Sequence, residues 1–252
     1  MREQRRKGLR TFLFCLAGLV CALGLFGAVL FRTVYPAPVF MYHAIAQEPL
    51  TEQASLFVRP DAFESQLKYW QSIGCESLFA DEVRQVRHVQ RPLVITFDDG
   101  YEDNYTQAFP LLKKYGMKAT IFVITDQIGK PGFLTAQQMQ EMAGSGLVQF
   151  GSHTAGHRKL SDLTGDAVSN EFERSAQAIE AITGAAPRTV AYPYGDANWK
   201  VKLRAALIYR FGYITDGDVG LPAIRKMSIA RCGVTRDMPL EEIEAFTQAH
   251  FE

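Results

Sequence analysis

Leu93-Val-Ile-Thr-Phe-Asp-Asp-Gly-Tyr101 decides the fold. Leu93, Val94 and Ile95 form an apolar, partly β-branched run that reads as a buried strand. The run ends abruptly in two carboxylates and a glycine. In α/β proteins the carboxyl ends of buried strands are where sites are built. Successive side chains of a strand point to opposite faces. Asp98 and Asp99 should therefore diverge where the strand gives way to the Gly100 turn, and so do two different jobs. A turn rich in Asp and Gly would explain the same residues without any chemistry.

A second stretch, Val148-Gln-Phe-Gly-Ser-His-Thr-Ala-Gly-His157, tips the balance. It too is a short apolar strand running into a polar turn. Imidazoles spaced i, i+4, His153 and His157, can reach one metal ion on a helical turn or compact loop. Adding one carboxylate gives three protein ligands and leaves coordination positions open for water and substrate. A third stretch, Thr189-Val-Ala-Tyr-Pro-Tyr-Gly195, is another short strand, broken by Pro193 and Gly195.

Thr96-Phe-Asp-Asp-Gly-Tyr101, Ser152-His-Thr-Ala-Gly-His157 and Ala191-Tyr-Pro-Tyr-Gly195 resemble, in family order, the first three motifs of the polysaccharide deacetylases, the NodB-homology or carbohydrate esterase 4 family. The resemblance runs from about Val39 to the C-terminus. The opening Val39-Phe-Met-Tyr-His43 also resembles the branch acting on exported poly-N-acetylglucosamine. The resemblance implies a distorted (β/α) barrel, commonly seven-stranded, in the α/β class. It implies Asp98 as general base and Asp99, His153 and His157 as ligands of a divalent metal, zinc most often, with cobalt or nickel as alternatives. Pro193 and Tyr194 would lie at the acetyl pocket, the Tyr194 N–H helping to hold the oxyanion. Metal polarisation of the acetyl carbonyl, proton removal by Asp98 and oxyanion stabilisation together fit amide hydrolysis.

The sequence departs from the family pattern in three places. Many members carry an arginine two residues before the proline of the third motif, and here that position is Ala191. The late histidine proposed as general acid has no match, and a fourth motif is at best echoed by Asp216-Gly-Asp218. Arg231 is expected to supply a cation near the site. His43, ending the first strand, is the candidate for the missing imidazole.

Upstream, residues 1–10 carry five basic side chains against one acid, and residues 11–31 carry no charge. Twenty-one residues at ~1.5 Å rise span ~31 Å, enough for a bilayer. The basic flank would stay cytoplasmic. The expectation is a cytoplasmic tail (1–10), one uncleaved transmembrane anchor (11–31), a linker (32–38) and a deacetylase domain (39–252) outside the bacterial cell membrane. A cleaved signal peptide is the rival, disfavoured by the long apolar run.

Strand and helix signals alternate through the rest of the chain. Helices are expected at 61–72, 106–115, 135–143, 166–182, 199–208 and 240–249, with a short one near 81–87. Strands are expected at 39–42, 76–79, 119–124, 148–152, 189–192, 211–215 and 227–232, and a polar loop at 47–59. Such alternation implies a parallel sheet, and ~215 residues suit one barrel. All three motif turns would then converge on one rim.

Charges balance at 27 basic and 27 acidic residues. That argues against a nucleic-acid footprint and suits a neutral glycan. Cys75 and Cys232 adjoin apolar segments and read as buried free thiols. The leading expectation is a membrane-anchored metal-dependent deacetylase of N-acetylglucosamine units in an exported or envelope polysaccharide. It leaves room for a synthase or export machinery as partner. Peptidoglycan or an O-acetylated polymer is the alternative substrate, and a glycan-binding protein on an impaired fold is the alternative class. A glycoside hydrolase fits poorly, because its two acids must flank the bond at ~5–9.5 Å.

Overall fold

The structure, a computed structural model, describes residues 37–49, 53–83, 85–215 and 226–251. The expected tail, anchor and most of the linker, and the Asp216-Gly-Asp218 stretch, lie outside the described residues. Among the described residues no helix is long and apolar enough to cross a membrane.

The strand that carries the acids, Pro92–Phe97, is buried at all six positions, as its unbroken apolar run requires. In chain order the strands are β1 (Val39–Tyr42), β2 (Ala44–Ile45), β3 (Phe57–Val58), β4 (Glu76–Leu78), β5 (Pro92–Phe97), β6 (Ala119–Val123), β7 (Val148–Ser152), β8 (Thr189–Ala191), β9 (Phe211–Tyr213) and β10 (Cys232–Gly233). The helices are α1 (Pro60–Ser72), α2 (Phe109–Tyr115), α3 (Ala136–Gly144), α4 (Gly165–Thr183), α5 (Trp199–Ile208) and α6 (Leu240–Gln248).

One parallel sheet runs β10-β1-β5-β6-β7-β8-β9, with β4 beside the first half of β5. Val39 to Tyr42 pair in register with Val94 to Phe97, while Thr96 and Phe97 pair with Thr120 and Ile121 of β6. This is a curled parallel sheet, seven strands on its path and β4 as the eighth, with helices packed around it, consistent with the distorted barrel expected. Its two edges approach one another through a short segment. Ile229 forms a parallel bridge to Tyr213 of β9, and three residues later Cys232 pairs with Phe40 of β1.

That segment corrects the continuous strand expected at 227–232. The backbone changes partner across Ala230 and Arg231, so only Cys232–Gly233 forms a strand pair. Two further expectations are corrected. The loop expected at 47–59 holds β3, which pairs in parallel with β2. The helix expected from residue 106 begins as a π-helical stretch, Asn104–Ala108, before α2. Pro110 lies in the first turn of α2 and has no N–H to give back to the preceding turn. The wider turn accommodates that loss.

The main core lies between the sheet and α1, α2, α3 and α6, around Phe40, Tyr42, Phe63, Trp70 and Phe97. Trp70 is fully buried, and its indole N–H donates to the Thr247 hydroxyl of α6 at 3.0 Å. A second cluster joins α4 and α5 to β8 through Phe172, Val190, Tyr192 and Val201. Cys75 and Cys232 are free thiols, half-buried rather than buried as expected.

Candidate active site

The two acids diverge as strand alternation requires. Asp98 still belongs to the ladder: its N–H donates to the Tyr42 carbonyl at 2.8 Å. Its side chain is buried, 2 % exposed. There it meets Arg231 in a fork, Nη1 to Oδ1 and Nη2 to Oδ2, both 2.7 Å. The same guanidinium donates from Nη1 to the Thr96 hydroxyl at 3.3 Å and from Nε to the Ile214 carbonyl at 3.4 Å. Thr96 in turn donates to the Phe40 carbonyl. The guanidinium also lies over the Phe122 ring, 5.5 Å from its centre. Burial pushes the Asp98 carboxyl up, but the Arg231 charge and hydrogen bonds, with His153 and His43 nearby, outweigh it and hold the group at about 2. Asp98 is thus an ionised acceptor. The fork occupies two of its roughly four lone-pair sites and leaves the others free.

Asp99 turns the opposite way because its backbone adopts φ 70°. Gly100 follows at φ 78°, and a Cβ there would lie 2.8 Å from Val123 Cγ1 on β6. Asp99 Oδ1 is 3.5 Å from His153 Nε2 and 3.6 Å from His157 Nε2. Its carboxylate also takes a hydrogen bond from the Tyr101 hydroxyl. His153 stands at the end of β7, where its N–H donates to the Val123 carbonyl. Its Nδ1 is 2.8 Å from the Ala191 carbonyl. A carbonyl only accepts, so Nδ1 carries the proton and the Nε2 lone pair faces Asp99 and His157.

His157 is brought back by a tight loop. Thr154 and His157 both have positive φ, 64° and 53°. The His157 N–H donates to the Thr154 hydroxyl, and the Gly156 N–H donates to the buried Glu171 carboxylate at 2.7 Å. Burial and the neighbouring His153 push His157 down to about 4, so its ring is neutral near pH 7.

This trio fits a divalent metal. One ligand atom from each of Asp99, His153 and His157 lies within 4.8 Å of the others. Donors on a tetrahedral ion with ~2.1 Å bonds sit ~3.4 Å apart, close to the two separations from Asp99. Two imidazoles and one carboxylate, with Nδ1 of one imidazole held on a backbone carbonyl, form the chemistry such an ion selects.

The third motif forms the opposite wall. Buried Pro193 starts a one-turn helix in which Tyr194 takes φ 60°. The Tyr194 ring is 68 % exposed and rests 4.7 Å from the His157 ring. Its N–H is among the first amides of this turn, which find no partner within the helix itself. A cleft of ≈ 450 Å³ opens between these groups, lined by His43, Asp98, Asp99, His153, His157 and Tyr194, with Ser55 and Leu56 on the far side. His43 is half-buried there. Burial is the largest influence on its ring and lowers its pKa. The Asn104 amide donates to the His43 carbonyl, so the π-helical stretch fixes that corner.

Asp98, Asp99, His43, His153, His157, Tyr194 and Arg231 thus gather on one rim from five places in the chain. All four described non-glycine residues with positive φ, Asp99, Thr154, His157 and Tyr194, belong to this rim. Such conformations cost ~1–3 kcal/mol each and persist where surrounding structure over-determines them.

A polysaccharide deacetylase family model matches residues 85–211, just over half of the chain. The chain belongs to the polysaccharide deacetylase family. YxkH of Bacillus subtilis (strain 168), named for the same family, is 34 % identical over 212 residues, covering 79 % of this chain and 74 % of its own length. The poly-β-1,6-N-acetyl-D-glucosamine N-deacetylase of Staphylococcus aureus (strain MSSA476) is 29 % identical over 61 % of this chain, and the match spans 60 % of that relative's length. Among solved structures, the Streptococcus pyogenes deacetylase PplD, in complex with acetate, has a TM-score of 0.76 at 30 % identity, covering 85 % of this chain and 99 % of that one. As a deacetylase the protein is a hydrolase acting on carbon–nitrogen bonds.

Two groups at this rim escaped the sequence reading, and a third, Arg231, was expected at the substrate rather than on Asp98. Tyr101 was quoted only as the end of a motif, yet its hydroxyl holds Asp99. Glu171 sits inside α4, and only its burial in a helix facing the histidine loop could have marked it. Arg231 was expected merely as a nearby cation, and nothing in the local pattern announced a bidentate partner 133 residues from Asp98.

Proposed function

We propose that the protein is a membrane-anchored, metal-dependent deacetylase that removes N-acetyl groups from N-acetylglucosamine units of an exported or cell-envelope polysaccharide, poly-β-1,6-N-acetylglucosamine-like. The observation that carries this reading is the convergence of an ionised, arginine-clamped Asp98 with the Asp99–His153–His157 trio on one cleft. The polymer rests on the Staphylococcus aureus relative, whose name states that substrate, and on the His43-bearing first strand. The anchor and an extracytoplasmic domain rest on the uncharged residues 11–31 behind a basic tail.

Asp99, His153 and His157 hold the ion, zinc by the character of the donor set, with cobalt or nickel as substitutes. When bound, it supplies Lewis acidity toward an acetyl carbonyl and a water. Asp98 takes the proton of the attacking water on a carboxylate lone pair that Arg231 leaves free. Arg231 keeps that carboxylate ionised and fixed in direction. The Tyr194 N–H donates to the oxygen on which negative charge develops. Tyr194 and Pro193 flank the acetyl group. His43, at the same rim, relays the proton that Asp98 took from the water to the departing amine.

Acetate release tests this directly. The protein is stripped of metal, then assayed with and without zinc, cobalt or nickel on β-1,6- and β-1,4-linked N-acetylglucosamine oligomers. Metal-dependent release, faster on the β-1,6 oligomer, is the expected result. Release that ignores metal, or none from a metal-loaded protein on any N-acetylated oligomer, refutes the assignment.

A further inference from the structure

Among the described residues the large hydrophobic side chains left exposed are Tyr194, Trp199, Leu203 and Leu207, at 68, 58, 51 and 82 %. Tyr194 belongs to the catalytic rim. The other three all lie on α5, at i, i+4 and i+8, which places them on one stripe of the helix. The opposite side, Val201, Lys202 and Ala205, is buried against the second core. Scattered single exposed apolar residues are ordinary, whereas a contiguous stripe rimmed by polar groups marks a surface that something covers.

The charges on the same helix indicate what covers it. The sequence Trp-Lys-Val-Lys-Leu-Arg-Ala-Ala-Leu-Ile contains no acid. Lys200 is exposed beside Trp199, its ammonium 5.7 Å from the indole centre. Arg210 is exposed just past the C-terminus of the helix. Arg204 is half-buried, its guanidinium covering Gly165 at the start of α4. An indole and two leucines flanked by cations, with no carboxylate on the helix itself, match a helix lying in the headgroup region of an acidic bilayer.

We infer that the outer face of α5 is a lipid-surface docking site, in which Trp199, Leu203 and Leu207 enter the acyl boundary of an anionic membrane and Lys200 and Arg210 contact its headgroups. This contact is separate from residues 11–31. It would fix the orientation of the domain on the surface, because α5 starts four residues after the third motif.

The chain provides its own local probe. It has two tryptophans, and Trp70 is fully buried. Full-length protein is reconstituted in vesicles of acidic lipid carrying bromine at shallow acyl positions, and tryptophan emission is recorded. The expected result is a blue shift with quenching that vanishes in Trp199→Phe. Docking should weaken roughly thirtyfold in neutral lipid, from about fivefold contributions of each of the two exposed cations. The double variant Leu203→Glu, Leu207→Glu should lose the quenching while keeping the wild-type unfolding midpoint, which separates a docking effect from misfolding. Because the signal arises at Trp199, insertion of residues 11–31 cannot imitate it. Absence of quenching in acidic vesicles, equal quenching in the double-Glu variant, or a concentration-dependent dimer abolished by the two glutamates would overturn the inference.

Discussion

Replacing Arg231 by Met removes the fork from a buried carboxylate while keeping most of the side-chain volume. In the wild type the Asp98 carboxyl stands at about 2, below its usual 3.8, which corresponds to about 2 kcal/mol of stability at neutral pH. That contribution is present in full above pH ~4 and fades as pH falls through ~2. In the variant the carboxylate is orphaned in a site 2 % exposed, and breaking such a pair costs about 3–5 kcal/mol. Burial, the largest influence on the group, then faces only His153 and His43, so the carboxyl should titrate above its usual value. Its ionisation becomes a penalty that grows with pH, and the deficit of Arg231→Met should shrink on acidification. Urea unfolding at pH 7 and pH 4.5 measures this, with Asp98→Asn and the double variant closing a cycle. Most of the deficit should disappear in the double variant. A single variant within ~0.5 kcal/mol of wild type at pH 7, or a deficit unchanged when Asp98 is Asn, would refute the reasoning.

Three other changes probe the rest of the rim. His153→Ala or Asp99→Ala should abolish metal binding in titration calorimetry, while Asp98→Asn should keep the metal and lose turnover by at least ~10²-fold; a fully active, metal-loaded Asp98→Asn would remove that residue as the base. Gly100→Ala should lose ~1–3 kcal/mol, because a side chain is strained at φ 78° and its Cβ would meet Val123 at 2.8 Å; a melting temperature equal to wild type would contradict the geometry. Asp103 accepts the Ile45 N–H, and burial pushes its carboxyl up to about 6. Its ionisation therefore costs stability as pH rises from ~4 to ~6, on the order of 2–3 kcal/mol, and Asp103→Asn should be near neutral at pH 4 and stabilising at pH 7.5; a variant that weakens as pH rises would reverse the sign.

What could be read from the sequence was local. The acid-bearing strand was legible because an apolar run ending in Asp-Asp-Gly has few other meanings, and the divergence of Asp98 from Asp99 was expected from strand alternation, although the left-handed backbone of Asp99 produces it. The His153–His157 spacing exposed its own pairing, and α5 was placed to the residue, its start capped in the structure by the Asn198 side chain. Less legible were features that depend on the fold's closure. The 227–232 run has a strand's composition, but its partners change at Arg231, and no periodicity encodes a change of partner. The π-helical stretch at 104–108 keeps a helix's composition and reveals itself only through Pro110. Two-residue strands such as β3 are shorter than any window that detects them. The arginine that position 191 lacks was sought in the motif, whereas the geometry accepts a guanidinium from any strand that reaches Asp98.

The pairing of Asp98 with Arg231 also sets an order of events. A chain is made from its N-terminus, so the acid exists long before its counterion, which follows 133 residues later with the segment that bridges β9 and β1. Until that segment arrives, the carboxylate must stay wet or protonated, and the pocket around it has no reason to close. Completion of the sheet and clamping of the buried carboxylate are then a single step, so a chain halted before residue 231 would carry every motif residue and still leave Asp98 without its counterion.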